Sequence, residues 1–185
     1  MSRVIKIFCV AILLTLLPVL LFCGPGLIAS REPQEADWKA IKWPFPTDAW
    51  PEGRAFHCGR EQCGTNVDLY IRPKAGFCDC YRGVTDDDDI DRVGDVVVLG
   101  QNYAPSAAGG NTTLIGLQGR ARHFVVDAPG RTKLYAIGIA LHRRCDAIVA
   151  TAVSDSPIAG RAEDNVFKLL NSPEMKNWIE AQPQS

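Results

Sequence analysis

The chain has 185 residues, with 20 basic against 21 acidic side chains, a formal charge of −1, and 46% hydrophobic residues. A charge this balanced, with no basic block, excludes a nucleic-acid partner, which calls for a clustered positive face. The length suits one domain that buries about two thirds of its unfolded surface, and no repeat or low-complexity segment occurs beyond one short acidic run.

Residues 7–29 carry no charge, and 7–22 are almost purely apolar, with Arg3 and Lys6 just before them. A run of this length can cross a hydrocarbon core, which takes about 20 residues as helix. Basic residues on the short N-terminal side keep that side in the cytoplasm and send the rest across. The leader reads as a retained single-pass anchor, as a cleaved signal peptide, or as a lipid anchor on Cys23. The apolar run is long for a signal. Gly24-Pro25-Gly26 and Ile28-Ala29-Ser30 are not Ala-x-Ala sites, and bulky Phe22 precedes Cys23. All three readings export the remainder: an inner-membrane protein with its C-terminal domain in the periplasm, or a free periplasmic one after cleavage. Arg3 and Lys6 lie in the leader and every acid lies beyond it, so the exported part carries 18 basic against 21 acidic residues, a formal charge of −3.

The expected organisation is a leader at 1–29, a tether at 30–53 and an exported α+β domain at 54–185. In the tether, Trp38 and Ile41 are three apart and allow a short helical turn. Trp43-Pro44-Phe45-Pro46 and Trp50-Pro51 then forbid regular helix and favour extended backbone. Their aromatics either strap the segment across the domain or contact the membrane surface.

Strands are predicted at 54–58 and at 67–72, where apolar and polar residues alternate, with Pro73 closing the second. Residues 76–81 read as a short crossing or edge piece. A helix is expected over 85–93, with Thr85 as cap and acids meeting the positive end of its dipole. A calcium loop is the competing reading, but the spacing does not fit the EF-hand pattern. Residues 95–100 read as a strand buried on both faces, and 101–113 as a loop carrying the sequon Asn111-Thr112-Thr113. An antiparallel meander follows, with strands at 120–127, 132–142 and 147–153 and turns at 128–131 and 143–146. Val166, Phe167 and Leu170 stripe one helix. Ser172-Pro173 starts a second, with Met175, Trp178 and Ile179 on one face. The expected fold is an antiparallel β-sheet packed by C-terminal helices on one side.

Of seven cysteines, Cys9 and Cys23 lie in the leader, leaving Cys58, Cys63, Cys78, Cys80 and Cys145. In an exported domain this odd number implies two disulfides and one spare thiol. Cys78 and Cys80 share a face if extended and so look elsewhere for partners. Cys58–Cys63 and a bridge from Cys78 or Cys80 to Cys145 are preferred, though sequence leaves the connectivity open. The alternative use of these sulfurs, with His57, is a copper or zinc site or thiol-redox chemistry. Against it, paired metal-ligand spacing is absent, and Cys-x-Cys is not the Cys-x-x-Cys of thiol oxidoreductases.

Enzymatic signatures are missing: no Gly-x-Ser-x-Gly, His-Glu-x-x-His or phosphate-cradling loop occurs. His57, His123 and His142 read as sheet residues, and Ser154-Asp155-Ser156 supplies nucleophile and base types without an evident pairing. No cofactor is implied. The expected role is a membrane-tethered, non-enzymatic periplasmic domain that binds or supports another envelope protein.

The string Cys63-Gly64, Gly76-Phe77-Cys78-Asp79-Cys80, Gly83-Val84-Thr85-Asp86-Asp87, Ile90-Asp91-Arg92-Val93 and Cys145-Asp146-Ala147-Ile148-Val149-Ala150 resembles a group of small exported bacterial proteins with no assigned activity. It spans most of the chain beyond the tether and implies export, but no chemistry. The meander followed by a final helix is similar in element order to the PsbP/Mog1-like sandwich, a likeness of fold alone.

Overall fold

The computed structural model describes residues 36–46, 48–100, 102–127 and 133–183. The leader, the start of the tether and the 128–131 turn lie outside them. The described residues belong to one unit, Glu35–Ser185. Among them no helix is long and apolar enough to cross a membrane.

The strands are β1 (Lys39–Ile41), β2 (Arg54–Cys58), β3 (Val67–Lys74), β4 (Asn102–Pro105), β5 (Gly110–Leu114), β6 (Leu117–Asp127), β7 (Leu134–Arg143) and β8 (Asp146–Ser154). The helices are α1 (Arg60–Cys63), α2 (Asp87–Val93), α3 (Arg161–Leu170) and α4 (Pro173–Glu180), with a 3₁₀ turn at Val96–Leu99. All pairings are antiparallel, in the order β1-β2-β3-β8-β7-β6-β4, with β5 also on β6. The architecture is α+β, as the sequence pattern predicts.

The meander supplies the centre. β7 and β8 pair from Tyr135↔Ser154 to Arg143↔Asp146. β8 is buried along its whole length, so both faces of the sheet need cover. On one face Ile137, Ile139, Ile148, Leu69 and Ile71 pack under Ala162, Val166 and Leu170 of α3 and Met175 and Ile179 of α4. On the other, Ala140, Ala147 and Val149 lie under Ile90 and Val93 of α2, while Phe124, Val126 and Ala136 lie under Val96. Helices therefore cover both faces, which corrects the one-sided expectation. The C-terminal stripes were readable, but nothing in the α2 pattern says which face it takes.

Several boundaries also differ. Residues 39–41 are strand rather than helical turn, zipped onto β2 from Lys39↔His57 to Ile41↔Ala55. Pro73 does not end β3, which continues to Lys74 against β8. The β2 pairing stops at Arg54↔Ile71, so the missing N–H of Pro73 faces a side with no strand neighbour. The run 95–100 is a 3₁₀ turn, not a buried strand. Val96 and Leu99, three apart, share the sheet-facing side, and Val97 is 51% exposed. Residues 101–113 are not all loop. β4 and β5 lie in succession along the outer edge of the long β6, against 124–127 and 117–121 respectively. Being mostly exposed and polar, these edge strands lack the alternation that marks half-buried ones. Residues 76–81 make turns closed by an isolated Asp79↔Gly83 bridge. The cap of α2 is Asp86, not Thr85, in a capping box with Asp89.

Candidate functional site

The proline-aromatic segment is strapped across the face of the sheet opposite α3 and α4. The Trp43 and Phe45 rings meet Tyr70 edge-on, with centroids 6.1 and 4.7 Å away, and Trp50 meets Phe77 at 4.9 Å. Gly53 makes the crossing possible, since a Cβ there would collide with the Ile71 carbonyl oxygen.

Charge fastens the strap. Arg72 and Lys74, two apart on β3, point to this face and are 3% and 5% exposed. Arg72 donates to Asp95 through Nε at 2.6 Å and Nη2 at 2.9 Å, and through Nη1 to both oxygens of Asp48 at 2.9 Å. Lys74 Nζ lies 2.7 Å from Asp95 and donates to the Val93 carbonyl at 2.8 Å. Burial opposes the Arg72 charge, but Asp95 and Asp48 outweigh it and hold its pKa above the usual value. The Trp50 N–H, together with Arg72, keeps Asp48 below the carboxylate range. This bidentate pairing is structural: it joins strap, sheet and 3₁₀ turn at one point.

Beside it the strap walls a cleft of about 560 Å³. Tyr70, Leu134 and Val153 line it from the sheet, and Pro44, Phe45, Val98 and Leu99 from the strap and the 3₁₀ turn. Asn66, Asp68, Ser154 and Asp155 make a polar, acidic end. There His57 Nδ1 lies 2.7 Å from Asp68 Oδ1, a cross-strand pair with both side chains more than a third exposed. The Ser154 hydroxyl is engaged by Thr65 Oγ1 at 3.0 Å and by the Ser156 N–H at 3.1 Å. Asp155 accepts from the Ser156 hydroxyl at 3.1 Å and, at 3.5 Å, from Thr65. Asp155 forms no ion pair among the described residues. The cleft thus combines apolar walls with an acidic end, the pattern of a concave binding site in which a few polar groups converge.

The cysteines lie elsewhere. Cys58, at the end of β2, pairs with Cys63, at the end of α1, and Cys80 of the 76–83 loop pairs with Cys145 in the β7–β8 turn, while Cys78 stays a buried thiol. Two bridges and a spare agree with the cysteine count. The pairing occupies four of the five sulfurs a metal site would draw on, and His57 faces Asp68. Among the described residues no group of three or more His, Cys, Asp or Glu side chains could hold a metal ion. Burial, with Asp146 nearby, pushes the Cys78 thiol up.

The other histidines serve the sheet. His142 Nδ1 accepts the Val84 N–H at 3.2 Å, its ring filling the space a Cβ on Gly83 would take. His123 Nε2 is 3.6 Å from Glu163. Arginines pair with four acids of the run: Asp86 with Arg82, Asp87 with Arg120 and Arg122, Asp91 with Arg122, and Asp89 with Arg82 and Arg92. Burial would raise Asp89, but the Thr85 N–H and hydroxyl, the Arg92 guanidinium and the Asp86 N–H lower it to about 2.

Sequence reasoning missed the cleft and the Asp48–Arg72–Asp95–Lys74 cluster. Arg72 and Lys74, two apart at the end of an apolar strand, were the available signal. No protein-family model matches the chain, and no curated protein matches it.

Proposed function

We propose that this is an exported domain held at the membrane by its leader, a non-enzymatic module that binds another envelope protein. The observation that carries the reading is the strap-walled cleft, with its apolar sides and acidic end. Asp155 has no cationic partner among the described residues, and Asp68 has only His57. A partner segment in extended form, presenting an apolar side chain beside a lysine or arginine, complements both features. The two disulfides support an oxidising compartment. The charge-fastened strap supports a role in which the same segment links leader and cleft.

Two experiments test this. Fractionation of cells should recover the protein with the inner membrane or in the periplasm; recovery in the soluble cytoplasm would sink the proposal. Binding of a short alternating leucine–lysine peptide, followed by tryptophan fluorescence, should exceed that of its leucine–glutamate twin at least tenfold. Asp155→Lys should erase that preference; equal binding of the two peptides would overturn the assignment of the cleft. The competing metal-handling reading is separated by elemental analysis of the exported protein, where near-stoichiometric copper or zinc would favour it.

A further inference from the structure

The 76–83 loop, which carries Cys78 and Cys80, docks on the β7–β8 turn, which carries Cys145. The Cys78 N–H donates to the Cys145 carbonyl at 3.1 Å, and the Cys78 thiol donates to the Arg144 carbonyl at 3.3 Å. The Gly76 N–H donates to Asp146 Oδ1 at 2.9 Å and fixes the start of the loop. The backbone bond sets the Cys78 backbone directly against that of Cys145, as a disulfide partner must be, since a disulfide spans Cα atoms roughly 4.4–6.8 Å apart. Cys145 therefore has two cysteines as neighbours: Cys80, to which it is bonded, and Cys78, which is free and hydrogen-bonded to its backbone. The two differ in exposure. Cys78 is buried at 8%, whereas Cys80 is exposed beside Tyr81, whose side chain is fully in solvent.

We propose that Cys78, Cys80 and Cys145 form a thiol–disulfide exchange site, in which Cys78 takes over Cys145 and releases Cys80 to solvent as the reactive thiol. The inference takes up the thiol-redox alternative raised by the cysteines, replaces the non-enzymatic part of the reading above and does not depend on the cleft. The Cys78 thiol loses its proton to water, and its thiolate attacks the Cys145 sulfur. The Cys145–Cys80 bond breaks, and Cys80 leaves as a thiolate that a water proton can neutralise. One disulfide and one thiol are present before and after, so no oxidant is needed. The released Cys80 can then attack a disulfide of another protein, forming a mixed disulfide and expelling one thiolate of that disulfide.

The resting state is held closed by the environment of the nucleophile. Burial does most to disfavour the Cys78 thiolate; the negative charges of Asp146, Asp79 and Asp89 add to it, and the positive charge of Arg92 opposes it. Because the thiolate is the attacking species, exchange should quicken about tenfold per pH unit between pH 7 and 9.

The test uses the full chain, alkylation after acid quench, and mapping of bridged peptides. Cys80→Ser should form a Cys78–Cys145 bridge and unfold within a few degrees of the unsubstituted protein. Cys145→Ser should leave Cys78 and Cys80 both alkylatable and unfold well below it. Treated with a small aromatic disulfide at pH 8.5, the unsubstituted chain should carry the adduct on Cys80 together with a Cys78–Cys145 bridge, and Cys78→Ser should carry no Cys80 adduct. The proposal is overturned if Cys80→Ser keeps Cys78 and Cys145 as thiols under air. An adduct on Cys78 with the Cys80–Cys145 bridge intact would overturn it as well. The labelling arm needs no variant that must refold without its bridge.

Discussion

Asp95 accepts from Arg72 and Lys74 together, with all three side chains nearly out of solvent. Removing one partner of such a cluster leaves buried charge without a counterion, at a cost of about 3–5 kcal/mol. Asp95→Ala should therefore destabilise the domain by that order in urea melts, whereas Asp48→Ala, at the more exposed end, should cost less than half as much. Asp89 gives a pH signature. Its folded pKa of about 2 lies below the ordinary 3.8, so it contributes stability that is fully present above pH 4 and lost as pH falls toward 2. Asp89→Asn should unfold at lower denaturant than the unsubstituted protein at pH 6, and the gap should close by about pH 2. A gap unchanged across that range would mean that Asp89 acts through packing rather than charge.

At the scale of elements, α4 closes the core over β2, β3 and α3, with Met175 and Ile179 each 1% exposed. Arg143 donates to the Ile179 and Gln182 carbonyls at 3.0 and 3.3 Å, satisfying acceptors at the helix end. Ile179→Ala should cost about 2–5 kcal/mol. Deleting residues 173–185 should leave a chain that fails to fold, read as loss of the cooperative thermal transition, while trimming 182–185 should cost only the Gln182 contacts. This helix was legible because the period of its apolar residues and the Ser172-Pro173 start are local signals. The meander was legible for the same reason, through short turns and apolar runs. The 3₁₀ turn was not: four apolar residues in a row fit a strand equally well, and the decision falls to Asp95, drawn down onto Arg72 and Lys74 by a contact 23 residues away in sequence. The cleft was hidden similarly, because its walls come from five separated stretches of the sequence.

At the scale of the whole molecule, two bridges close loops of very different length, with sequence separations of 5 and 65. In the chain-entropy account these are worth about 2 and about 4 kcal/mol. Cys63→Ser should therefore lower the unfolding midpoint less than Cys145→Ser, and thiol counting of the denatured, unreduced protein should find one thiol among the five cysteines outside the leader. The number of bridges followed from the cysteine count, while their connectivity needed the loop and turn brought together in space. The sheet margins carry one more consequence. One ends in the three residues of β1, the other is divided between β4 and β5, and Pro105 closes β4. Among the described residues neither margin offers a long flat row of free backbone groups on which a second copy could template a continued sheet. In a crowded compartment, margins this short and divided resist edge-to-edge fibre growth, and the exposed Lys39 on β1 adds to the effect.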